Sequence, residues 1–176
     1  IIFENRGAEI GATISHPHGQ IYAFDHVPVR PAQALTTKWS PDELADDRLI
    51  IDVDGWCVYA EYASVHPISL RIAPRQRITD LPSMTSADRT TLAAIFVRIF
   101  GALDSLFDAP LPYMMWINQA PRTTNDWPKA WFNIEIVSPW RAPHVPRYIA
   151  GVEIASGEYF NPVDPADVAS RLRALV

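Results

Sequence analysis

A single cysteine, Cys57, occurs among the 176 residues. No disulfide framework can form within such a chain, and this usage fits a reducing compartment. Cys57 lies in Trp56-Cys57-Val58-Tyr59-Ala60, an apolar run that reads as a buried strand, so its thiol is expected to be packed and inert. Long apolar runs are missing as well. None reaches 18 residues, which excludes a helical membrane span. No signal peptide is visible, and a cytoplasmic location is the expectation. A basic excess is also absent: 15 Lys and Arg stand against 20 Asp and Glu, a net charge of −5, which argues against a nucleic-acid-binding face. The chain starts at Ile1 without a methionine, in what reads as a strand. The expectation is a piece of a longer protein whose N-terminal half lies upstream.

What is present is an ordinary globular composition, 48% hydrophobic and 20% charged. A chain of this length makes about one domain and buries roughly 70% of its unfolded surface. Gln20 to Phe24 alternates as a strand, and residues 28–48 carry prolines, threonines and acids. They read as a surface connection with one short helical turn and as the internal boundary. Leu49–Val53 and Trp56–Tyr62 read as strands around Asp54-Gly55, a hairpin dipeptide. Ile68–Ala73, Tyr113–Ile117 and Phe132–Val137 are further strands. Thr85 and Asp88 make a capping box for a helix over Ser86–Phe107, where Gly101 is expected to permit close packing. Ala120–Lys129 is a polar loop, Pro139–Pro146 should be irregular, and a short helix covers Ala166–Leu175.

The chemistry is concentrated in His16-Pro17-His18-Gly19-Gln20. On an extended backbone alternate residues share a face, so two imidazoles and a carboxamide would line up. An imidazole is a good nucleophile near pH 7. If one ring nitrogen donates to a carbonyl, the other is fixed as the attacking atom. A carboxamide cannot act as a general acid near neutral pH; it only donates and accepts hydrogen bonds. Taken alone, a His-x-His reads first as a polar sheet edge with satisfied histidines. His26 and His66 read as surface or packing residues, and His144 follows Ala142-Pro143 in an irregular stretch.

The flanks carry a resemblance. Phe3-Glu4-Asn5-Arg6-Gly7-Ala8, then Gly11-Ala12-Thr13, then His16-Pro17-His18-Gly19-Gln20-Ile21-Tyr22-Ala23 resembles the active-site block of the galactose-1-phosphate uridylyltransferase family, a branch of the histidine-triad superfamily. The likeness continues through Ile78-Thr79-Asp80-Leu81, Leu111-Pro112-Tyr113-Met114 and Ala150-Gly151-Val152-Glu153. It implies an α+β fold: a histidine-triad-like antiparallel sheet with packed helices, preceded by the end of a first such unit. Residues 1–40 would be the end of an N-terminal unit carrying the active block, and residues 41–176 the C-terminal unit. The resemblance implies a transferase that moves a uridylyl group between UDP-glucose and galactose 1-phosphate in galactose metabolism, with ping-pong kinetics and a homodimer. It assigns the attack on the α-phosphorus to His18 and gives Gln20 the task of holding a phosphate oxygen. Related hydrolases carry histidine at the place of Gln20, so transfer is favoured over hydrolysis. Asn5, Gly11, Ala12 and Thr13 match positions that contact the nucleotide, with the amides beside the glycines able to form an anion nest. His16 is an orienting partner or a zinc ligand whose companions lie outside this chain. Arg147, Tyr148 and Glu153 match a stretch that reaches the hexose and its phosphate, partly from a neighbouring subunit.

The sequence also departs from the pattern. Family members often hold a second metal through a Glu and three histidines, and those positions fall here near Ala34 and Asn118 and on Asn133 and Glu135. Only Glu135 is a strong ligand, so no second metal is expected. Glu135 is then a solvated strand residue or an acceptor that supplies some of the metal's bracing. Val152 replaces an aromatic residue, which leaves the hexose open. Two other readings stand beside uridylyl transfer: a related ADP-sugar or hexose-phosphate nucleotidyltransferase or phosphorylase, and an inactive nucleotide-binding fragment.

Overall fold

The computed structural model describes residues 1–14, 16–41, 46–123 and 126–176. Residues 42–45 of the expected acidic connection and 124–125 of the expected polar loop lie outside the described residues. In chain order the elements are β1 (Ile2–Arg6), β2 (Gly19–Ile21), α1 (Val29–Thr36), β3 (Leu49–Val53), β4 (Trp56–Ala60), β5 (Ile68–Pro74), α2 (Ser86–Ser105), β6 (Tyr113–Asn118), β7 (Asn133–Ser138), β8 (Trp140–Ala142), β9 (Val145–Pro146), α3 (Gly151–Ser156) and α4 (Pro165–Arg173).

Seven of the strands form one antiparallel sheet in the order β2-β1-β6-β7-β5-β4-β3. The α+β class expected from the sequence holds. The sheet runs across residue 40 without a break, because β1 pairs with β6 over five residues. The two expected units therefore share a sheet within this chain.

Strand alternation gives the sheet two unlike faces. Val58, Leu70, Ile72, Ile134 and Ile136 point to one face and are fully buried. Leu92, Ile95, Ile99 and Leu103 of α2, with Val168, Ala169 and Leu172 of α4, belong to the same core. Pairing register puts a mixed row on the other face, running Gln20, Phe3, Trp116, Glu135, Arg71 and Tyr59 from β2 to β4. Cys57, Tyr59 and Ala73 form a small cluster there with Trp39 and Leu49, so Cys57 is packed as expected.

Local signals were good guides. Asp54 and Gly55 both have positive φ, 48° and 78°, the requirement of the tight hairpin turn their sequence announces. Thr85 caps α2 with the full reciprocal box: its hydroxyl accepts the Asp88 amide at 3.1 Å, and Asp88 accepts the Thr85 amide at 2.9 Å.

Other expectations need correcting. β2 stops at Ile21 rather than Phe24, because its partner begins at Ile2 and the pairing runs out with Tyr22 N–H on the Ile1 carbonyl. The connection after it holds an eight-residue helix, α1. The stretch 139–146 is a small ribbon, β8–β9, with His144 at its tip against Trp140. Gly101 faces open space: a Cβ there would meet nothing within 4 Å, so close packing is not its role.

Gly101→Ala should therefore raise stability by about 0.5–1 kcal/mol, read from denaturant unfolding. Thr85→Ala should cost about 1 kcal/mol. The Thr85 hydroxyl, followed by the Thr85 amide, holds the Asp88 carboxyl below its usual range. That contribution is complete above the ordinary carboxylate value and fades as pH falls through the native one. The gap between Thr85→Ala and the parent should accordingly narrow in acid unfolding titrations below about pH 4.

Candidate functional site

The loop between β1 and β2 carries His16 and His18, β2 itself carries Gln20, and the base of the loop is fastened tightly. Arg6, the last residue of β1, forks onto both oxygens of Asp104 in α2. It also donates to the Leu111 carbonyl at 2.8 and 3.0 Å, and its guanidinium lies 4.8 Å above the Tyr113 ring. Tyr113 in turn donates its hydroxyl to Glu4 at 2.7 Å. Burial, then this bond to Glu4, pushes the phenol pKa up and keeps it a donor.

Gly7 follows at φ 108°, and a Cβ there would sit 2.6 Å from Pro112 Cβ. A single 3-10 turn, Ala8–Ile10, then ends on Gly11 in the left-handed region. The Gly11 amide bonds to the Ala8 carbonyl (3.0 Å) and the Ala12 amide to the Gly7 carbonyl (3.1 Å). These two amides shape the loop, so they do not form the anion nest expected of them. Asn5 is half-buried in β1 opposite Met114, and Thr13 is exposed.

His16 and His18 precede β2 rather than lying in it, so alternation does not align them with Gln20. A different contact orients His18. Its Nδ1 is 2.9 Å from the carbonyl oxygen of His16. A carbonyl only accepts, so Nδ1 carries the proton and Nε2 keeps its lone pair. His16 makes the equivalent Nδ1 contact with Pro17 O at 3.0 Å. Gln20 is half-buried in β2, opposite Phe3.

Arg147 and Glu153 are brought together by the excursion after β9. Their side chains pair with each other and are each only 5% exposed. Glu153 also accepts the Ala150 amide at 2.7 Å and the Phe160 amide at 2.8 Å, while Arg147 donates to Phe160 O at 3.0 Å. The Phe160 and Ala150 amides, with Arg147 beside them, hold the Glu153 carboxyl below the ordinary range. Tyr148 projects into solvent beside this pair. A surface cleft of about 300 Å³ is lined by Arg141, Arg147, Tyr148, Glu153 and Phe160. In the register, Glu4 faces Gly19, Arg6 faces Tyr113 and Ser138 faces Ile68. The histidine loop and the excursion thus leave the same end of the sheet. β1 and β7 are two strand steps apart there, about 10 Å.

Of the positions read as a lost metal site, Asn118, Asn133 and Glu135 do converge. Asn118 donates to Asn133 Oδ1 (2.8 Å) and Glu135 Oε1 (2.9 Å), and Trp116 donates to the same oxygen at 3.2 Å. Arg30 donates to Glu135 Oε2 at 2.7 Å, and Arg71 lies 3.4 Å from Oε1. Glu135 is 7% exposed, so it is a buried acceptor and not a solvated strand residue. A carboxylate already surrounded by two guanidiniums, an indole and an amide does not suit a metal ion. Among the described residues no group of three His, Cys, Asp or Glu converges, and His16 is a lone candidate donor. Sequence reasoning missed Asp104, Arg30 and Arg71; their partners lie far away in the chain, and no local pattern marks them.

Gly7→Ala should cost on the order of 1–3 kcal/mol in denaturant unfolding. Gly11→Ala, strained in φ but facing open space, should cost less.

The family described as galactose-1-phosphate uridyl transferase, C-terminal domain, matches residues 12–175. The galactose-1-phosphate uridylyltransferase of Thermotoga maritima is 29% identical over 186 residues, covering 98% of this chain and 58% of that protein. A solved uridylyltransferase structure superposes with a TM-score of 0.88 at 25% identity, covering 99% of this chain and 59% of the other. An ADP-glucose phosphorylase from Arabidopsis thaliana, solved with ADP-glucose bound, shares the fold at a TM-score of 0.83 and 24% identity, over 99% and 57% of the two chains. The chain spans about half the length of the curated relatives it matches.

Proposed function

The chain belongs to the galactose-1-phosphate uridyl transferase family, and from that membership we propose that it carries the reacting half of a uridylyl transfer between UDP-glucose and galactose 1-phosphate. The observation that supports this best is the His18 tautomer fixed by the His16 carbonyl, which leaves Nε2 as the free nucleophile. In the first step Nε2 attacks the α-phosphorus of UDP-glucose. An N–P bond forms, the P–O bond to the sugar phosphate breaks, and glucose 1-phosphate departs with the electron pair. A phosphate oxygen of galactose 1-phosphate then attacks the same phosphorus and releases His18. Both leaving groups are stable without a proton, so a carboxamide at Gln20 suffices to hold a phosphate oxygen.

Asn5 and Thr13 would approach the nucleotide, with Gly11 and Ala12 shaping the loop beneath it. Tyr148 and the cleft beside the Arg147–Glu153 pair would take the hexose phosphate. His16 would serve zinc through Nε2 where other donors complete the site, or orient the loop where they do not. The unit boundary at residue 40, a homodimer and a cytoplasmic location belong to the same proposal.

The test uses the full-length protein that contains this chain. Incubation with UDP-glucose alone should give an acid-labile uridylyl-protein by mass spectrometry, and His18→Ala should abolish it and lower turnover by on the order of 10³-fold or more. No adduct in the unmutated protein would sink the covalent reading. A parallel panel of UDP- and ADP-sugars would reveal an ADP-sugar enzyme, and binding of UDP-glucose without turnover would reveal a nucleotide-binding module.

A further inference from the structure

Helix α1 follows the site strand β2 after residues 22–28, yet none of its own residues is buried. Apolar burial therefore does not dock it. Its N-terminus also lacks a side-chain cap. Two polar ties hold it instead. Lys129 reaches the Thr36 carbonyl at 2.6 Å from one end. At the other, Arg30 donates to Glu135 Oε2 at 2.7 Å while its guanidinium lies 4.8 Å above the Trp116 ring.

The receiving end of that second tie is rigid. Glu135 is buried in β7, and its other oxygen takes Trp116, Asn118 and Arg71. Arg71 is itself paired with Glu61 and lies 5.1 Å above the ring of Trp39, just beyond α1. The Arg71 side chain is largely covered as well, 18% exposed. Burial opposes its charge, but Glu61 and Glu135 outweigh that and raise its pKa. A carboxylate held from one side by Arg71 and two neutral donors is a preformed socket for one further cation from the open side.

β2, by contrast, is three residues long and pairs within the sheet only with β1. The block ending in Gln20 is thus paired with β1 on one flank, and from β2 the chain runs on through residues 22–28 into α1. We propose that the Arg30–Glu135 clasp, formed without a metal ion, fastens α1 to the sheet and thereby holds the His18–Gln20 block in place, which makes Arg30 a positioning residue. A metal at this place would need donors at Ala34, Asn118 and Asn133. The first has none, and the two amides are already committed: Asn118 donates to Asn133 and to Glu135, and Asn133 donates to the Trp131 carbonyl.

The test is hydrogen–deuterium exchange on the full-length protein, comparing the parent with Arg30→Met, Arg30→Lys and Glu135→Gln. Arg30→Met should speed exchange over residues 29–36 by about tenfold or more while residues 86–105 stay unchanged. Arg30→Lys should restore part of the protection, and Glu135→Gln should behave like Arg30→Met. A chelator should leave the parent unaltered. Turnover should fall in Arg30→Met with KM for UDP-glucose nearly unchanged. Unaltered exchange over 29–36 in Arg30→Met would overturn the clasp. So would a parent protein loosened by the chelator as much as by the substitution. A loosened α1 with full turnover would overturn the positioning role. Only the turnover reading rests on the proposed transfer: if the parent forms no uridylyl adduct, that reading fails, and the exchange data still judge the clasp.

Discussion

The guanidinium of Arg6 joins β1 to the helical core of this chain. One side chain ties the end of β1 to a carboxylate in α2, to a carbonyl beyond it and to the face of Tyr113. Because Arg6 is the residue from which the site loop departs, the loop inherits the rigidity of the helical core. Gly7 then presses against Pro112, where no other side chain fits. The orientation of His18 depends on this base. A tautomer fixed by one neighbouring carbonyl is useful only if that carbonyl is itself fixed in space.

The two polar clusters on either side of this base solve the same problem in different ways. Glu153 collects donors from within seven residues: the Ala150 amide, the Arg147 guanidinium and the Phe160 amide. It caps a six-residue helix that hydrophobic burial could not hold, since its other side chains are mostly exposed. Glu135 draws instead on three elements, α1, β5 and β6, and ties a helix to the opposite side of the sheet. In both places a buried carboxylate that gathers several donors does the structural task that apolar packing performs elsewhere.

These differences explain what was legible in the sequence. The Asp54-Gly55 hairpin, the Thr85–Asp88 cap and the α2 core face depend on residues within a few positions of each other, and all were readable. The His16–Gln20 block was readable as a motif, but its geometry was not. Alternation put His16, His18 and Gln20 on one face, whereas the strand begins only at Gly19 and His18 folds back on its neighbour. α3 was missed because its cap is a carboxylate three residues inside the helix and its first residue is a glycine. Arg6–Asp104 and Arg30–Glu135 span 98 and 105 residues, and nothing in either local stretch identifies the other.

Those spans have a consequence for how the molecule assembles. β3, β4 and β5 are joined by short connections and can pair early, whereas β1 meets β6 only after more than a hundred residues have been brought together. Closing so large a loop is slow, and its entropy cost is recovered only when the full set of contacts forms. The β1–β2 pair that flanks the histidine loop therefore orders late, after the core to which Arg6 ties it. The His16–Gln20 segment takes its place only once the core it is tied to has formed, so its geometry is the last thing the fold completes.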